Sequence, residues 1–152
     1  MRRLLVILLL LGTLPAFAGG SVKGRIVKTL PLFLDLKGHD AVSPSLYDRD
    51  AYQNYLRYHT NEISALRFDV LWQVGNPPEA KYKMRVELRG VAPNGNPTQQ
   101  TLEQEVKPPL FRRWTSLPLG GDDYKKFGVL VAWRVTLWAD DRQLCEEKSF
   151  LW

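Results

Sequence analysis

A two-sheet antiparallel β-sandwich with one amphipathic helix inserted before the main strands is the fold class this sequence predicts. Three observations predict it. From Leu66 onward, apolar residues recur at every second position, the period that puts alternate side chains on opposite faces of a strand. Clusters of Gly, Pro, Asn and Asp break these runs at roughly 8 to 12 residue intervals. One segment, Ser45 to His59, instead has helical spacing.

Ahead of the fold, Met1 to Ala18 reads as a removable export signal. Arg2 and Arg3 give the positive start, Leu4 to Leu11 is uninterrupted hydrocarbon, Gly12 and Pro15 break it, and Ala16-Phe17-Ala18 is the small-x-small pattern of a cleavage site. The eight-residue apolar run is far below the roughly 18 to 20 residues a span requires. No lipid-carrying cysteine follows the expected cut, where the chain reads Gly19-Gly20-Ser21. The expectation is an exported protein, periplasmic or extracellular, with no transmembrane span after cleavage.

Cleavage leaves 134 of the 152 residues, enough for a single domain over residues 19–152. It also lowers the formal net charge from +5 to +3 by removing two arginines. The remaining signs are interleaved, as in Arg85, Glu87 and Arg89, whereas a nucleic-acid binder clusters its basic residues on one face. Cys145 is the only cysteine, so no intrachain disulfide forms and packing must hold the fold. Its setting in an alternating run predicts a small buried side chain; an interchain disulfide is the alternative.

In chain order, Val22 to Leu36 is rich in Ile, Val, Leu and Phe and predicts one or two strand pieces interrupted at Pro31. Ser43-Pro44-Ser45 opens the helix, with Ser45 and Asp48 spaced as a capping box. At 100° per residue, Tyr47, Ala51, Tyr52, Tyr55, Leu56 and Tyr58 share one half of that helix, and Arg49, Asp50, Gln53, Asn54 and Arg57 the other. An aromatic packing face is expected.

Phe68, Val70, Trp72 and Val74 then face one way, with Arg67, Asp69 and Gln73 opposite. After the turn Gly75-Asn76-Pro77-Pro78, Tyr82, Met84, Val86 and Leu88 alternate with Lys83, Arg85, Glu87 and Arg89, which predicts an antiparallel pair with one wet face. Thr98 to Val106 is polar, with only Leu102 and Val106 as anchors, and reads as an edge strand. Leu110 to Leu117 is expected to be extended and to carry Trp114. Gly120 to Gly128 predicts one helical turn, closed by glycine. In the closing hairpin Val129, Val131, Trp133, Val135 and Leu137 are expected on one face, with Leu130, Ala132 and Trp138 on the other; Asp140-Asp141 turns the chain, and Gln143 to Trp152 is the last strand.

About seven strands in this order resemble an immunoglobulin-like or fibronectin type III-like domain with an added helix, in which Trp72 would be the core tryptophan. The likeness implies architecture alone, because one fold hosts many functions. A small outer-membrane barrel ending on Trp152 is the competing architecture. Lys148 and Glu146 would then lie in the lipid-facing band between Phe150 and Leu144, where a charge near the midplane costs roughly 2–4 kcal/mol.

No catalytic or cofactor motif stands out. His39 and His59 lack metal-ligand spacing and are expected at surface or cap positions. Asp122-Asp123 and Asp140-Asp141 each supply two carboxylates, far from the six to eight oxygens calcium takes, and turn formation accounts for both. No Gly-x-Ser-x-Gly elbow or phosphate loop occurs. The expectation is a monomeric, non-enzymatic module that needs no cofactor or metal and binds an envelope or extracellular protein, or else a glycan, and no nucleic acid. Its candidate contact residues are Trp114, Trp138 and Trp152, of which the latter two are expected to be buried, under the tyrosine-rich helix.

Overall fold

In the computed structural model, which describes residues 22–152, seven strands and two helices follow one another. They are β1 (Lys23–Asp35), α1 (Leu46–Tyr58), β2 (Ile63–Gly75), β3 (Tyr82–Val91), β4 (Pro97–Val106), β5 (Arg113–Gly120), α2 (Gly121–Phe127), β6 (Val129–Ala139) and β7 (Arg142–Lys148). The export signal expected over residues 1–18 lies outside the described residues. Two antiparallel sheets form, β1-β2-β5 and β4-β3-β6-β7, so the molecule is an all-β sandwich.

Alternation builds the core. Phe68, Val70, Trp72 and Val74 of β2 and Tyr82, Met84, Val86 and Leu88 of β3 are all buried, joined by Leu117 and Leu119 of β5 and by Val135 and Leu137 of β6. Each such side chain contributes roughly 1.5–3 kcal/mol on leaving water. Trp72 satisfies its indole by donating Nε1–H to Thr115 Oγ1 at 2.8 Å, and Trp133 meets Phe68 edge to face at 6.1 Å.

Several local expectations are corrected. Pro31 does not interrupt β1, which runs unbroken through it; the register with β2 shifts instead at Val27, between Ile26 and Lys28, and again between Leu34 and Asp35 at the strand's end. β1 is an edge strand, and Phe33 N–H, two residues on, points away from β2 to a side chain of α1. The nitrogen of Pro31 therefore faces the same free edge, and no ladder bond is lost.

The single-face alternation of Val129 to Leu137 also fails at its start. Arg89 pairs Ala132 while Gly90 pairs Leu130, so Val131 is an extra residue that reverses the phase. Val129 and Val131 are consequently exposed, and Leu130 packs on the core. The segment from Gly120 is a two-turn helix whose N-cap is Gly120. It ends at Gly128, whose φ of +79° and close approach to the Val91 carbonyl both require glycine. The last strand stops at Lys148, and Ser149 to Trp152 form a turn.

Helix α1 starts at the expected residue, with Asp48 N–H donating to Ser45 Oγ at 3.4 Å. The box is not reciprocal, because the Asp48 carboxylate accepts from Ser43 Oγ at 2.6 Å. Its packing face is narrower than expected and includes a polar residue. Gln53 and Leu56 are buried, whereas Tyr47 and Tyr58 are exposed and Tyr55 partly so. Gln53 Oε1 accepts from Phe33 N–H at 2.7 Å, and Nε2 donates to the Phe33 and Asp40 carbonyls at 2.8 and 2.9 Å. The amide thus takes the place of a neighbouring strand at the free edge of β1.

Candidate functional site

The outward side chains of the four-stranded sheet form rows of matched charge. Arg85 donates to Glu103 across β3 and β4, Lys83 Nζ lies 3.5 Å from the same carboxylate, and Arg134 Nη2 lies 2.7 Å from Glu87 across β6 and β3. The hydrogen bond from Arg85 holds the Glu103 carboxyl below its ordinary range. These pairs fix the guanidinium planes, and the planes in turn cover indole rings.

Trp138 and Trp152 both lie on this face, half-buried, and not beneath α1, which packs on β1. Arg85 sits 5.3 Å from the Trp138 ring centre, while Arg89 and Arg134 lie 4.0 and 4.9 Å from that of Trp152. Trp152 reaches its place because β6 and β7 stay in contact past Lys148: Ser149 N–H donates to the Trp133 carbonyl at 2.9 Å, and Trp152 N–H to Ser149 O at 3.2 Å. That turn leaves Phe150 fully exposed and Leu151 largely so. Arg89 has no carboxylate within salt-bridge distance among the described residues.

Trp114 is elsewhere. It projects from the outer face of β5, 47% exposed, beside an open groove of about 420 Å³ between β4 and β5 that Gln104, Lys107 and Arg113 also line. Its neighbours depart from the extended segment expected from Leu110: β5 begins only at Arg113, and Leu110 and Phe111 stand in a loop, 96% and 83% exposed. Sequence reasoning missed this pair. Pro108-Pro109 directly before two large apolar residues was the available sign, since an extended connection that cannot pair carries them away from the sheet.

The polar candidates have structural occupations. His59 caps the C-terminus of α1 and stacks on Tyr55 at 3.9 Å, and His39 lies 3.7 Å from Asp35 at the surface. The Asp35 carboxyl is held low chiefly by the His39 backbone N–H. Asp140 ties the β6–β7 turn to Lys81 N–H at 3.0 Å, and Asp122 and Asp123 lie in the first turn of α2. No group of three or more metal-ligating side chains occurs among the described residues. Cys145 is half-buried against the core, and burial pushes its thiol up to about 11, which keeps it protonated and poorly nucleophilic at neutral pH. No helix among the described residues is long and apolar enough to cross a membrane. No family model, curated protein or solved structure matches this chain.

Proposed function

We propose that the chain is an exported, non-enzymatic binding module of the cell envelope, of immunoglobulin or fibronectin type III kind, that engages a protein partner through the outer face of its four-stranded sheet. The strand order β1-β2-β5 with β4-β3-β6-β7 supports the architectural part of this reading, and the sequence of residues 1–18 supports export.

One observation carries the choice of face: the Arg89 and Arg134 guanidinium groups lie 4.0 and 4.9 Å from the Trp152 ring centre, with exposed Phe150 and Leu151 in the same turn. Trp and Arg dominate the energetics of protein interfaces because they combine large contact area with directed polar groups, and here Arg134 is already held by its ion pair with Glu87. A sugar platform needs free ring faces, whereas guanidinium groups occupy those of Trp138 and Trp152. Protein binding is therefore favoured over glycan binding.

Capture from envelope extract tests the reading. The wild-type chain is expected to retain a protein that both Phe150→Ser and Trp152→Ala lose. Phe150 is fully exposed, so its substitution leaves the fold intact. Retention unchanged in both variants, or binding to a glycan array in place of protein capture, would refute the assignment of this face.

A further inference from the structure

We infer that the loop before β5, with the first residues of that strand, docks one end of the sandwich onto an anionic phospholipid bilayer. The inference goes beyond the protein-binding reading and rests on it only for the export that brings the chain beside such a bilayer.

Strand polarity gathers the β2–β3, β4–β5 and β6–β7 connections and the start of β1 at this end, and places both helices at the other. Leu110 and Phe111 form the tip of the β4–β5 connection and are together more exposed than Phe150 and Leu151 of the closing turn. Pro108 and Pro109 keep the backbone ahead of them extended.

Charge selects the occupant. Lys107 precedes the apolar pair and Arg112 and Arg113 follow it, all exposed and none within salt-bridge distance of a carboxylate among the described residues. Counting connections and terminal strand residues, this end carries six basic side chains (Lys23, Lys81, Lys107, Arg112, Arg113 and Arg142) against Glu79, Asp140 and Asp141. The opposite end is balanced, with six basic against seven acidic.

Hydrocarbon at a tip with cations directly behind it matches the layering of a bilayer surface. Leu110 and Phe111 would enter the boundary between headgroups and acyl chains. The guanidinium groups would then lie at the depth of lipid phosphates, which they can bind through paired N–H donors. Trp114, the second residue of β5 behind them, presents an indole with a polar tip, the side chain favoured at this interface. Anionic lipid is required because juxtaposed basic residues contribute only against a negative surface.

The test is flotation of the chain lacking residues 1–18 with vesicles of phosphatidylethanolamine, with and without phosphatidylglycerol. Binding is expected only with phosphatidylglycerol and is expected to fall as salt rises. Leu110→Ala/Phe111→Ala should lower the partition at least about tenfold. Arg112→Ala and Arg113→Ala should each lower it roughly fivefold. All four side chains are exposed, so melting temperatures should be unchanged, and circular dichroism verifies this. Absent flotation on phosphatidylglycerol vesicles, equal flotation on neutral ones, or flotation indifferent to Leu110 and Phe111 would overturn the inference, as would loop-dependent capture of an envelope protein with no vesicle binding. Whether the chain is exported is read separately, by the intact mass of the protein in the exported fraction.

Discussion

Replacing Gln53 by alanine removes one buried amide and strands three backbone groups. Phe33 N–H, Phe33 C=O and Asp40 C=O each lose a partner at 2.7 to 2.9 Å, while the helix around them keeps its Leu56 anchor. A buried polar group left without its partner costs about 1–3 kcal/mol, and water entering the vacated space recovers part of that. Taken over the three groups, a net loss of about 2–4 kcal/mol is expected. For a domain of this size the loss corresponds to a fall in Tm of roughly 8–16 °C.

Urea unfolding followed by far-ultraviolet circular dichroism measures the total, and amide hydrogen exchange at Phe33 localises it. Protection of that amide should fall in Gln53→Ala, while amides inside the core strands fall only with global stability. Gln53→Glu should be worse than alanine at neutral pH, since it would set a carboxylate against two carbonyl oxygens. Asn54→Ala, on the exposed side of the same helix, serves as control and should lie within about 0.5 kcal/mol of wild type. Equal stability of Gln53→Ala and wild type, with Phe33 equally protected, would refute the view that this amide seals the edge of β1.

Two further outcomes follow from burial. Leu56→Ala should cost about 2–5 kcal/mol and Tyr55→Ala less than about 1 kcal/mol, because Leu56 is fully buried whereas Tyr55 is 40% exposed and makes surface stacks on His59 and Tyr52 and a bond to Glu62; thermal melts of the two single variants check this, and equal losses would contradict the narrow packing face. The Cys145 thiol, raised by burial from 9.0 to about 11, should react slowly with iodoacetamide at neutral pH and faster as pH approaches 11. The folded state holds this proton more tightly than the unfolded one, so the associated stability is complete below pH 9 and is lost as pH rises towards 11. Stability curves of wild type and Cys145→Ala should converge over that window, and rapid alkylation at pH 7 would contradict the assignment.

What could be read from the sequence followed from how local each cause was. Period-two alternation in Phe68 to Val74 and Tyr82 to Leu88 is imposed by a sheet with one dry face, and both runs are buried as their pattern predicts. The polar composition of Thr98 to Val106 likewise matched an edge, β4. The phase reversal at Val131 was illegible because valine suits either face; the bulge depends on Gly90 opposite, where a β-carbon would meet Phe127 and the Val129 carbonyl. Gln53 was assigned to the wet half of its helix because a glutamine shows its use only once the strand edge beside it is known. At the candidate surfaces, the three tryptophans were identifiable by type, but the arginines over two of them come from β3 and β6, a contact set by cross-strand register. Leu110 and Phe111 were hidden by an apolar run that resembles the strand it precedes.

Every sheet edge is obstructed, and this narrows how the molecule can bind. Towards one end β1 lies against β7, with Gly24 close to Leu144 and Thr29 Oγ1 donating to Glu147; towards the other, Gln53 holds the backbone of Phe33, and Pro31 between them offers no N–H. The same contact shields β7. β4 carries Glu103 and Glu105, charges that oppose a flat added strand, and β5 has Pro118 within its eight residues. A partner pairing by backbone would have to displace a side chain or bury a charge at any of these edges. One that reads side chains meets no such obstacle. Two guanidinium groups already lie against the Trp152 ring, and Leu110 and Phe111 already project, so side chains at both surfaces can be reached without opening a strand edge.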